Sequence, residues 1–188
     1  MAKKAKSTLL NMFLSLTIIA VVAAGVLALV SAVTHDPIEA AKKAKTENAI
    51  KAVLPEFDEL KDQEVNGMTC HLAYKGGQLA SVAVESASEK GFGGHLGIMY
   101  GFDAATGDIT GYSILETSET PGLGAKADKW FQKGSKGCVV GKNPASNNLK
   151  VNKDGGEVDA ISGSTITSRA FCDALESAYN TFKMIEKE

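Results

Sequence analysis

From Leu9 to Val33 no charged residue interrupts the chain. A helix of these 25 residues, rising about 1.5 Å per residue, exceeds the ~30 Å hydrocarbon core of a bilayer. Its polar members (Asn11, Ser15, Thr17, Ser31) are small, and Ser and Thr hydroxyls can bond back onto their own helix. Lys3, Lys4 and Lys6 precede the run, and His35 and Asp36 follow it. The positive-inside rule then places the amino terminus in the cytoplasm and the rest of the chain outside it. A cleaved signal peptide is the alternative, with Val30-Ser31-Ala32 as a small-residue cleavage site. An apolar signal core is usually ~7–15 residues, so the length favours a retained anchor. The expected organisation is a cytoplasmic tail over 1–8, a transmembrane helix over 9–33 and an extracytoplasmic domain over 34–188.

With 188 residues, the chain has room for one globular domain beside that segment. Hydrophobic residues make up 44% and charged residues 22%, which fits a folded domain and not a disordered one. The first 33 residues hold three Lys and no acid, leaving 17 basic against 22 acidic residues beyond them. A net-acidic domain with no basic cluster argues against nucleic-acid binding. Cys70, Cys138 and Cys172 are far apart and form no CxxC pair, which argues against zinc or iron–sulfur ligation. One disulfide among them stays open.

Beyond the run, Asp36-Pro37 marks the exit from the span. Ile38 to Leu54 reads as a short amphipathic helix that Pro55 ends. Thr69–Tyr74, Leu79–Glu85, Leu96–Asp103 and Ile109–Glu116 read as strands separated by glycines and turn residues. The short connections favour antiparallel pairing, because a parallel crossover needs a dozen or more residues. Lys126 to Gln132 suggests a short helix with Trp130 and Phe131 facing inward, and residues 142–156 read as a polar loop or hairpin. From Thr167 to Lys187, Phe171, Ala174, Leu175, Ala178, Phe182 and Ile185 form one apolar stripe, predicting a terminal helix. The expected class is α+β: antiparallel strands with flanking helices, preceded by one transmembrane helix.

The chemistry concentrates between Asp159 and Ser168, where Val158 to Ile161 could end a strand. Gly163 and five hydroxyl side chains lie just before or within the start of the terminal helix. Unpaired N–H groups and the positive dipole end at a helix start attract phosphate. Plain capping by Ser and Thr is the competing account. The run lacks a P-loop lysine and the three-glycine spacing of a dinucleotide turn. Glu119 to Gly124 (Glu-Thr-Pro-Gly-Leu-Gly) adds a second cluster. Pro121-Gly122 suits a type II turn, with glycine supplying the positive φ. Gly122 and Gly124 expose backbone N–H groups and Leu123 offers an apolar surface, on which a planar heterocycle could lie. Gly91-Phe92-Gly93-Gly94-His95 could approach a ligand for the same reason. No nucleophile or general base with triad-like company is evident at His35, His71 or His95.

Together these segments resemble the FMN-binding domain family of membrane redox complexes, which includes the G subunit of Rnf-type ferredoxin:NAD⁺ oxidoreductases and the C subunit of sodium-translocating NADH:quinone reductases. The family's flavinylation pattern, Asp-x-x-Ser/Thr-Gly-Ala/Ser-Thr, is met by Asp159, Ser162, Gly163, Ser164 and Thr165. Its Glu-Thr-Pro-Gly-Leu-Gly run is met by Glu119, Thr120, Pro121, Gly122, Leu123 and Gly124, and Gly91 to Gly94 matches its Gly-Tyr-Gly-Gly with Phe92 in place of Tyr. The resemblance implies FMN esterified to the Thr165 hydroxyl by a flavin transferase. Ser162, Gly163 and Ser164 would hold the phosphate and the 119–124 loop would touch the ring. Ser164, where Ala is commoner, and Thr167 are further candidate hydroxyls. The resemblance also implies a single-pass protein of the bacterial inner membrane that passes electrons beside other membrane subunits, with no substrate turnover of its own. The short chain favours the Rnf type. A protein like the quinone reductase's C subunit, a stand-alone flavinylated carrier and an anchored domain without redox chemistry are the alternatives.

Overall fold

The computed structural model describes residues 8–185. The tail expected over 1–8 lies, Thr8 apart, outside the described residues, as does the end of the helix expected through Lys187. The chain parts between Ala44 and Lys45 into two compact units. In the first, the described residues are almost wholly helix. Helix α1 runs over Leu9–Val53 and is long and apolar enough to cross a membrane. Pro37 lies inside α1, and no separate helix begins after it. Proline there removes one backbone hydrogen bond and crowds the carbonyl four residues earlier, a cost of about 3 kcal/mol that this helix of 45 residues carries. Leu54 N–H donates to Ile50 O (3.0 Å), and the helix stops just before Pro55, as expected.

The second unit is built on five antiparallel strands in sequence order: β1 (Glu59–Val65), β2 (Met68–Lys75), β3 (Gln78–Gly91), β4 (Gly94–Asp103) and β5 (Ile109–Thr117). Four of them were expected; β1 was not. Its sequence, ELKDQEV, lacks apolar alternation because it is an edge strand paired to β2 alone. Helix α3 (Thr165–Met184) covers one face. Its stripe is buried as predicted, and Phe171, Ala174 and Ala178 are fully enclosed. Tyr100 hydroxyl donates to Phe171 O (2.8 Å) and Ser86 hydroxyl to Ala174 O (2.9 Å), fixing α3 to β4 and β3. The opposite face carries a smaller cluster, in which the end of α1 (Ala49, Ile50, Val53) packs on Ala73, Ala83 and Met99.

Between β5 and α3 the chain is mostly turns. The helix expected over 126–132 is reduced to α2 (Ala127–Trp130), with Phe131 buried and Trp130 half-buried. Val158 to Ile161 does not end a strand: Val158 makes only an isolated bridge to Val151, and the Asp159 carbonyl is taken by Trp130 Nε1 (2.7 Å). Residues 142–156 form the predicted polar loop. All three cysteines are free thiols. Burial pushes Cys172 up to about 12 and Cys70 up to about 11, so both are neutral side chains at ordinary pH.

Candidate cofactor-binding site

Three separated segments meet at the amino-terminal end of α3. Thr120 O accepts from Leu123 N–H (3.1 Å), closing a turn in which Gly122 has φ +77°, as the Pro-Gly pair predicted. The turn brings Leu123 against Gly163, 3.6 Å from where a Cβ would stand. Glu119 points inward and is buried. Its Oε2 accepts from the Thr167 hydroxyl (2.8 Å) and its Oε1 from Gly93 N–H (3.4 Å). One carboxylate therefore joins the 91–94 turn, the 119–124 loop and the first turn of α3. The glycines beside it are required by close approach. A Cβ on Gly124 would overlap Glu119, and one on Gly93 would overlap the Ser118 carbonyl.

The five hydroxyls of the 159–168 segment have different tasks. Ser168 hydroxyl accepts from Ile161 N–H (2.9 Å) and donates to Ser164 O (3.0 Å), all buried. Thr167 is committed to Glu119 and has no exposed surface. Ser164 is buried and its side chain does not cap α3. Thr167 and Ser168 are thus held by contacts inside the fold, and neither caps the first N–H groups of α3. Thr165, first residue of α3, is only partly covered, and Ser162 is exposed.

Thr165 lines a pocket of about 340 Å³ together with Glu119, Thr120, Leu123, Gly124, Gly163 and Ser164. Of the residues singled out in the sequence, Ser162, Gly122 and Asp159 are not on its walls. Asp159 faces away and its Oδ1 accepts from Asn152 Nδ2 (2.6 Å). Phe92, Lys153 and Ile166 complete the walls. Phe92 had a signal in the glycine cluster. Ile166 sits inside the motif at a position the motif leaves free, and Lys153 comes from a polar loop with no signal pointing to this place. Lys153 Nζ donates to Thr165 Oγ1 (3.2 Å). Next to it, Arg169 grips Asp154 with two hydrogen bonds (2.6 and 2.7 Å), which hold the Asp154 carboxyl below its ordinary pKa. His95 stands apart, with Nδ1 on Glu89 (2.5 Å) and Nε2 near Glu116 (3.8 Å).

The residues present fit a flavin mononucleotide. Phe92, Leu123 and Ile166 are 71%, 45% and 47% exposed, an unusual concentration of bare apolar surface around one pocket. A helix start without a side-chain cap, a hydroxyl and an ammonium lie together at its Thr165 end, the chemistry that a phosphate monoester or diester takes.

The class of protein is that of FMN-binding domains: residues 91–180, which hold the sheet's last strands, the 119–124 loop and most of α3, match the FMN-binding domain family. The chain is 34% identical to the G subunit of the ion-translocating oxidoreductase complex of Methanosarcina acetivorans, an alignment covering 89% of this chain and 91% of that one. It is 31% identical to the corresponding G subunit of Vibrio parahaemolyticus (89% and 86% covered) and 31% identical to that of Cereibacter sphaeroides (96% and 87%). The chain belongs to this G-subunit family.

Proposed function

We propose that this protein is the electron-carrying flavoprotein subunit of a membrane ion-translocating oxidoreductase of the Rnf type (ferredoxin:NAD⁺), with FMN bound covalently at Thr165. The observation that carries this reading is the fate of the hydroxyls. Among Ser164, Thr165 and Thr167, only Thr165 is both on the pocket wall and more than marginally exposed. In maturation by a flavin transferase, the Thr165 oxygen forms a bond to the FMN phosphorus of FAD. The pyrophosphate P–O bond breaks, AMP leaves, and the hydroxyl proton passes to the transferase or to water. The bound flavin supplies one-electron and two-electron redox chemistry.

The chain's own residues bind and orient. Phe92, Leu123 and Ile166 offer apolar surface to the ring. Ser164 and the first N–H groups of α3 would hold the phosphate, with Gly163 allowing close approach. Glu119 holds the 119–124 loop against α3 through Thr167. Helix α1 anchors the domain, with the lysines before it in the cytoplasm, the domain on the outer side of the bacterial inner membrane and other members of the complex beside it. No side chain here is asked to turn over a substrate.

The test is intact mass and peptide mapping of the full chain from its natural host, with Thr165→Ala beside it. Wild type should carry the mass of one FMN less water on the peptide containing Thr165 and fluoresce in a denaturing gel. Thr165→Ala should lose both. A bare Thr165 in host material rejects the reading, and an unchanged increment in the variant moves the ester to Ser164 or Thr167.

A further inference from the structure

We propose that Lys153 is the counter-charge for the phosphate at Thr165, and that the 152–154 turn exists to deliver it; this rests on the covalent-FMN reading above. Among the described residues lining the pocket, Lys153 alone is basic, and its Nζ already reaches Thr165 Oγ1. A lysine side chain is long and loses much rotamer freedom when held. A neutral hydroxyl is a weak reason to hold one, whereas a phosphodiester anion on the same oxygen is a strong one.

The turn is tied on both sides of that oxygen. On one flank Asn152 Nδ2 donates to Asp159 Oδ1 (2.6 Å), six residues before Thr165. On the other, Asp154 accepts from Arg169 Nε and the second guanidinium nitrogen (2.6 and 2.7 Å), four residues after it. The backbone closes the base, with Asn152 N–H on Val158 O (2.8 Å) and Gly156 N–H on Val151 O (3.1 Å). Asp159 and Arg169 thereby acquire a role without touching the pocket: they position Lys153. The arrangement also gives the pocket polarity. Its acidic side chain among the described residues, Glu119, is committed to Thr167 and Gly93. The cation stands by Thr165, so an anionic group is drawn to the threonine and not to the loop.

The experiment uses the full chain co-expressed with a flavin transferase, as wild type, Lys153→Met, Lys153→Arg and, as a control off this pocket, Lys150→Met. Two quantities are read: the fraction flavinylated at limiting transferase, by intact mass, and the phosphorus-31 resonance of the loaded, folded protein. Lys153→Met should lower early flavinylation roughly tenfold, the size of one lost charge-assisted hydrogen bond, and shift the phosphorus resonance. Lys153→Arg should restore both to near wild type, and Lys150→Met should change neither. Lys153→Met behaving as wild type, or Lys153→Arg as defective as Lys153→Met, overturns the proposal. Wild type without flavin on Thr165 fails the underlying reading instead, so the two failures are distinct.

Discussion

The two faces of the sheet solve opposite problems. On the α3 side the strands present Leu96, Ile98, Tyr100 and Phe102, and α3 answers with Phe171 and Phe182. Phe171 stacks on Phe131 (centroids 4.0 Å apart) and meets Tyr112 and Tyr100 edge-on (4.9 and 5.4 Å). On the other side β4 and β5 present Gly101 and Gly111, and β2 and β3 present Ala73 and Ala83. Small residues let a backbone come close: Thr110 hydroxyl donates to Val53 O at the end of α1 (2.6 Å). The first face locks a helix by interdigitating large rings. The second seats a helix end by removing side chains. Only the first has to hold a position to within a fraction of an ångström, because the start of α3 carries Thr165.

The contrast breaks if the aromatic face can be emptied cheaply. Phe171 has no exposed surface and joins three rings. Phe171→Ala should cost about 3–5 kcal/mol in denaturant unfolding. In the fraction that stays folded, α3 should shift enough to slow flavinylation of Thr165. A loss below ~1 kcal/mol would mean the rings do not set the position of the helix. On the small-residue face the vulnerable change is the reverse one, from small to large. A Cβ on Gly101 would overlap Val53 O and crowd Thr110 Oγ1. Gly101→Val should cost about 1–3 kcal/mol by the same measurement and leave flavinylation at Thr165 intact. A variant that unfolds normally but loses flavin attachment would couple the two faces and refute their separation.

What the sequence revealed divides along the same line. The stripe of α3 was readable because large apolar residues recur at the period of a helix, and β2 to β5 because β-rich runs stand between glycines and turn residues. β1 was unreadable, since Glu59, Lys61, Asp62, Gln63 and Glu64 give an exposed edge strand no apolar period. Pro37 misled because the rule that proline ends a helix is a statement of cost, and a long helix absorbs it. At the site, the Pro121-Gly122 turn and the hydroxyl-rich helix start were legible as local chemistry. The inward carboxylate of Glu119 and the reach of Lys153 were not. Both depend on contacts across the fold, Glu119 to Thr167 and the 152–154 turn to Asp159 and Arg169, and no local pattern encodes them.

The smallest effect sharpens the comparison from the sheet's far end. His71, on the small-residue face, is buried with Nδ1 on Asp62 (2.6 Å) and Nε2 on Glu85 (3.1 Å). Burial alone would push its pKa down, but the hydrogen bonds and charges of Glu85 and Asp62 outweigh it, and the net direction is up. A histidine whose folded pKa lies above its unfolded value of about 6.5 stabilises the fold fully below that pH, and the contribution fades as pH rises through the folded value. Wild type should therefore lose a modest part of its stability as the pH rises above the unfolded value of about 6.5, by urea unfolding at each pH. His71→Gln, which keeps two polar contacts without the titrating charge, should lose that dependence and keep the flavin site unaltered. An equal pH slope in both proteins would assign the effect to other groups. A slope in wild type that also appears in flavinylation would show that this face does reach the pocket, against the division of labour argued from its packing.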